Sequence, residues 1–144
     1  MSAIKTTTAQ KLTSIKFVDI ESPYSAPTEA EIKRNIRYAR AAVRDCLLKG
    51  ETPYASHLFF TQTGILDDNI IEDRERGINA GKYIIQKLGA ITVVYTDLGI
   101  SKGMEFGIEL AKKDGRRVEF RSLGKEWESI FLIHENTHSQ SGLW

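Results

Sequence analysis

The residues best suited to chemistry stand together between Asp97 and Glu105, in the stretch Asp-Leu-Gly-Ile-Ser-Lys-Gly-Met-Glu. It offers two carboxylates, one hydroxyl and two glycines. Where Ser101-Lys102-Gly103 opens a helix, the first backbone N–H groups lack intrahelical partners and the helix dipole is positive, so an anion is favoured there. Glycines at such a point form a turn, and Gly99 and Gly103 carry weight because of what flanks them.

Those flanks must position the site. Ile91-Thr92-Val93-Val94-Tyr95-Thr96 is β-branched and aromatic, too short for a helix and too apolar for a loop, which predicts a buried strand. From Ser101 the spacing of Met104, Ile108 and Ala111 predicts a helix, which Gly115 ends before a further strand at Val118-Glu119-Phe120. Strand, turn, helix and strand make a βαβ unit with parallel strands and a right-handed crossover. Ligands of such units bind where a strand's carboxyl end meets the next helix's amino end.

Upstream, Ser14 to Ile20 reads as a first strand, followed by a loop that Pro23 and Pro27 keep out of helix and sheet. Tyr24 therefore belongs to a loop and to a pocket wall. Thr28 and Glu31 have capping-box spacing. The helix behind them carries Ile32, Ile36, Ala39, Val43, Cys46 and Leu47 on one stripe, and its basic side chains Lys33, Arg34, Arg37, Arg40 and Arg44 read as a solvated face. Thr52 to Phe60 reads as a second strand and its exit, with His57 near the carboxyl end as a hydrogen-bonding or acid–base candidate or, equally, a structural histidine. A helix follows from Asp67-Asp68-Asn69 to Gly89, with Ile71, Ile78, Gly81, Ile85 and Leu88 inward; Gly77 and Gly81 on it permit close packing. On this helix Arg74 and Glu75 are within reach of a ligand over the site, but read rather as a solvated ion pair. The order β-α-β-α-β-α-β predicts a three-layer α/β sandwich on a parallel sheet of about four to five strands, in one domain.

Composition narrows the classes. Twenty basic side chains face nineteen acidic ones and are scattered, so neither nucleic acid nor an anionic membrane is expected as a partner. The single Cys46 suits a reducing cytoplasm. No apolar run approaches the roughly 20 residues that span a bilayer, and a soluble intracellular domain is expected. Met1 to Leu12 reads as a mobile leader, and residues 124–144 as a C-terminal appendage. His134-Glu135-Asn136-Thr137-His138 matches H-E-x-x-H, but Asn and Thr are poor helix formers and a third ligand is not apparent, so no zinc site and no cofactor are expected.

Ser22-Pro23-Tyr24 after the first strand, followed by Asp97-x-Gly-x-Ser-x-Gly-Met-Glu leading into a helix, resembles the nucleoside 2-deoxyribosyltransferase superfamily, which includes nucleoside 5′-monophosphate N-glycosidases. The likeness spans roughly Lys16 to Arg121 and is nearest to small phage and bacterial members. It implies a flavodoxin-like parallel sheet, a nucleoside or nucleotide ligand, and cleavage or transfer at the base–sugar bond. On that resemblance Ser101 and Gly103 hold the sugar 5′-oxygen or a 5′-phosphate, Asp97 contacts the base, and Tyr24 lies near the sugar. Ser22, Pro23, His57, Gly99 and Met104 complete the expected pocket. The family's nucleophile is a helix carboxylate acting on the anomeric carbon. Two alignments place it. One puts Glu105 in that role; the other, gap-free, puts Gly107 there and leaves no nucleophile. The first implies an enzyme, the second a binding protein that sequesters a nucleotide, such as a host signal if the chain is phage-encoded. A homo-oligomer is expected, with Trp127, Phe131 and Trp144 at an interface.

Overall fold

A computed structural model of the chain describes residues 16–129. Its elements are β1 (Phe17–Glu21), α1 (Glu29–Leu48), β2 (Thr52–Tyr54), α2 (Ser56–Phe59), α3 (Ile71–Lys87), β3 (Ile91–Tyr95), α4 (Lys102–Lys113) and β4 (Val118–Arg121). The four strands form one parallel sheet in the order β2-β1-β3-β4. The chain thus has the α/β sandwich architecture expected, with α1 on one face and α3 and α4 on the other.

Strand alternation assigns the two faces. Val18 and Ile20 of β1, with Val93 and Tyr95 of β3, are buried against Tyr38, Ala42 and Cys46 of α1. On the opposite face Val94 packs on Met104 and Ile108 of α4. Met104, Ile108 and Ala111 are all buried, as their spacing predicts. Each apolar side chain so covered contributes roughly 1.5–3 kcal/mol. Beneath α1 lies a largely buried ion pair, Arg121 with Glu51, at 2.7 Å through both terminal guanidinium nitrogens. Arg121 also bonds Glu119.

Three local expectations change. The inward stripe of α1 is Asn35, Tyr38, Ala39, Ala42 and Cys46, while Leu47 is exposed. Two polar groups explain the rotation, because each finds a partner under the helix. The Asn35 amide donates to the Tyr24 carbonyl at 2.8 Å, and the Tyr38 hydroxyl donates to Asp97 at 2.6 Å. β2 ends at Tyr54, and Ser56–Phe59 closes one helical turn. Pro53 offers no N–H to a ladder, which an edge strand tolerates and which keeps this strand short. On α3, Gly81 and Ile85 are buried, whereas Ile71, Ile78 and Leu88 are exposed. The helix stands off the sheet, and the space beneath it is a cavity.

Trp127 is buried in its own chain, edge-on to Tyr38 with ring centroids 5.0 Å apart. It is therefore unavailable for the interface expected of it. Phe131, Trp144, the leader and the H-E-x-x-H segment lie outside the described residues. No helix among the described residues is long and apolar enough to cross a membrane.

Candidate functional site

The cavity opens at the carboxyl end of β1, between α3 and α4, with a volume of about 690 Å³. That is the size range of small-molecule sites. Its walls come from five elements. The end of β1 supplies Asp19 and Glu21, and the loop after it Ser22 and Tyr24. His57 comes from α2 and Lys82 from α3, while Ser101, Gly103 and Met104 open α4.

Each wall has a local cause. Asn35 anchors the Pro-bounded loop through the Tyr24 carbonyl, which fixes Tyr24 at the rim. Gly81 lets α3 approach α2, since a Cβ there would lie 3.2 Å from Ser56; Gly77 does the same beside Leu66. Those glycines thus serve close packing, as expected. At α4 the Ser101 hydroxyl accepts the Met104 N–H at 3.3 Å, capping the helix whose open N–H end faces the cavity. His57 Nε2 and the Ser22 hydroxyl are 2.8 Å apart. Burial lowers the His57 pKa to about 4, so the ring is neutral near pH 7.

The least expected feature is a pair of carboxyls on β1. Asp19 and Glu21 are two residues apart and so share one sheet face, the one beneath α3 and α4. Asp19 is 4% exposed. Burial pushes its pKa up to about 6, with the Arg116 guanidinium pulling the other way. Glu21 is held well above the usual carboxylate range, first by burial and then by Asp19, again opposed by Arg116. The Arg116 side chain is itself 6% exposed and bonds the Ala90 carbonyl, Thr92 and Asp114. The strand expected over residues 14–20 stops one residue short of Glu21, and neither acid is among the site residues expected from sequence. The signal is in the sequence: two acids at alternating positions, Asp19 between Val18 and Ile20 and Glu21 directly after them, in a strand otherwise fit for burial.

Of the site residues expected from sequence, Ser22, Tyr24, His57, Ser101, Gly103 and Met104 meet around this cavity. Pro23 is buried beside it without lining it. Gly99 makes the turn before α4 at φ 83° and also lies off the cavity. Asp97 is a correction. Its carboxylate accepts from Tyr38, Ser122, Leu123 and Gly124 at 2.6–3.1 Å and does not line the cavity. Burial would raise its pKa, but these donors outweigh burial and lower it to about 2. It ties the chain after β4 to α1. Glu105 is exposed and off the cavity, whereas Gly107 lines it. Two helical residues are about 200° of rotation, so both cannot face the same ligand. Arg74 also lines the cavity. Its nearest acid is Asp68 at 3.9 Å, in place of the expected Glu75. Among the described residues no group of three His, Cys, Asp or Glu is placed to hold a metal ion.

A four-stranded parallel sheet with helices on both faces and a cavity at its strand ends defines an α/β sandwich domain by architecture. More narrowly, the chain belongs to the DUF7768 family, described as a domain of unknown function, whose model matches residues 16–121. No curated protein and no solved structure matches it.

Proposed function

We propose that this chain binds a nucleoside or nucleotide in the β1/α3/α4 cavity, with cleavage or transfer of its N-glycosidic bond as the chemistry. The supporting observation is the polarity of the cavity. One wall is the amino end of α4 with Ser101, Lys102 and Gly103, suited to a 5′-oxygen or phosphate; another is the carboxyl pair Asp19 and Glu21. Tyr24 and the neutral His57 lie between the β1 end and α2, as flat neighbours for a sugar or base, their rings edge-on at 6.4 Å. A breaking glycosidic bond develops positive charge on the sugar, which a carboxylate stabilises.

A second reading keeps the ligand and drops the turnover. The exposed Glu105 favours it, since no carboxylate of α4 then lines the cavity. In that reading the chain sequesters a nucleotide. In either, the buried free Cys46 suits a reducing cytoplasm, and exposed Ile71, Tyr83 and Phe106 on α3 and α4 suit a homo-oligomer.

The test pairs two measurements on the full chain: equilibrium binding of deoxynucleosides with and without a 5′-phosphate, and free base released, read by chromatography. Binding with release supports the enzyme, and binding without release supports the sequestering protein. Absence of both would remove the nucleotide reading. Glu105→Ala is expected to leave both measurements unchanged.

A further inference from the structure

We propose that Glu21 is the proton donor of this cavity, reaching from the end of β1 into the space that Gly107 leaves under α4. The proposal rests on the nucleotide reading above and assigns its chemistry to a residue on the strand instead of the helix.

Gly107 carries the first observation. A Cβ built on it would overlap the Glu21 carboxyl, so the place a helix side chain would fill is already taken by a strand side chain. The alignment that leaves the helix without a nucleophile therefore does not leave the cavity without a carboxyl. Secondly, Glu21, Gly107 and Asp19 all line the same cavity. Thirdly, among the described residues no hydrogen bond or ion pair engages the Glu21 carboxyl. Asp97, by contrast, is saturated by four donors. A carboxyl without donors, packed against Gly107 and beside a second carboxyl, holds its proton more tightly than a free one; the raised pKa of Glu21 agrees, with Arg116 pulling the other way. A protonated carboxyl is an acid, not a nucleophile.

For a purine nucleotide the step balances with water as co-reactant. As the C1′–N9 bond breaks, its electron pair goes to the base, and the Glu21 proton passes to the purine's imidazole-ring nitrogen. Water's oxygen then bonds to C1′, and the proton it sheds returns to the Glu21 carboxylate. Asp19, next along the strand face, supplies negative charge for the cationic sugar in between. Purines fit this role because that ring nitrogen is basic enough to take a carboxyl proton.

An N7-methylated purine is already cationic and departs without a proton, which makes the test specific. Base release is measured from 2′-deoxyguanosine 5′-monophosphate and from its 7-methyl form, for the wild-type chain and Glu21→Gln, with Kd measured alongside. The expected result is a loss of about 10²–10⁴-fold on the ordinary nucleotide, a much smaller loss on the methylated one, and an unchanged Kd. Equal loss on both would place Glu21 at the sugar and overturn the proton-donor role. No loss on either would overturn any reactive role while leaving the nucleotide reading intact. Wild-type binding without release from either compound would overturn this proposal alone; absence of binding as well would remove the underlying reading too. Gly107→Ala is the independent second variant. It must displace the Glu21 carboxyl, so it is expected to slow release from the ordinary nucleotide and spare the methylated one.

Discussion

At the scale of single residues, Asp19 and Asp97 show how environment divides one side-chain type into opposite states. Asp19 has lost water and gained little in return, so its folded pKa of about 6 lies above the unfolded value near 4. A raised carboxyl contributes stability that is complete below about pH 4 and is lost as pH rises through about 6. Asp19→Asn removes that titration. The variant should therefore gain on the wild type between pH 4 and pH 7.5, by up to about 3 kcal/mol at 1.36 kcal/mol per pKa unit. Urea unfolding at the two pH values measures the gap, and a gap that stays constant with pH contradicts the assignment. Asp97 is the reverse case, a carboxylate held ionised by four donors. Asp97→Ala strands the buried Tyr38 hydroxyl and frees three more exposed donors, and should cost roughly 1–3 kcal/mol. Its signature is a lowered urea midpoint with nucleotide affinity retained in the folded protein, which a base-contacting role would not allow.

At the scale of elements, α1 and α4 are both capped by hydroxyls, with different consequences. Thr28 and Glu31 close a capping box on α1 and do not line the cavity. Thr28→Ala should cost about 1 kcal/mol of stability and nothing in binding. Ser101 caps the helix end that faces the cavity, so Ser101→Ala should cost a similar amount and also weaken affinity for 5′-phosphorylated ligands. Thermal melts with isothermal titration separate the two effects. Beneath α1, Glu51→Ala would leave the Arg121 guanidinium short of its main partner in a setting where both side chains are nearly buried. Breaking such a pair costs about 3–5 kcal/mol, the lower end being expected here because Glu119 remains. Replacing both Glu51 and Arg121 with methionine should recover much of the loss.

At the scale of the whole molecule, one sheet face is closed and the other is open. The α1 face is filled by Tyr38, Cys46, Tyr95 and Trp127, with the Tyr38, Cys46 and Tyr95 polar groups paired. The opposite face keeps a cavity because α3 meets α2 through small residues while its larger apolar residues stay out of the core. Exposed Ile71, Tyr83 and Phe106 remain on that side. The expected outcome of light scattering at micromolar concentration is a mass above that of one chain; a monomeric mass would end the assembly proposal.

Much of this design was legible along the chain. Alternating β and α periodicity determined the α/β class, since each period commits a segment to one backbone geometry regardless of its neighbours. The same local logic placed the Thr28 cap, the buried stripe of Met104, Ile108 and Ala111, and the anion-favouring start of α4, whose cause lies within a few residues of its effect. What needed the tertiary structure was every feature made by residues distant in sequence. Asp97 reads as a free carboxylate beside a turn until Tyr38 and residues 122–124 arrive to saturate it. The stripe of α1 turns because Asn35 and Tyr38 find partners that no helical period contains. Glu21 and Gly107 are 86 positions apart, counted between their numbers in the chain. Only the packing of α4 across the end of β1 brings that carboxyl into the gap the glycine leaves, because a desolvated site is a property of shared space and not of either segment alone.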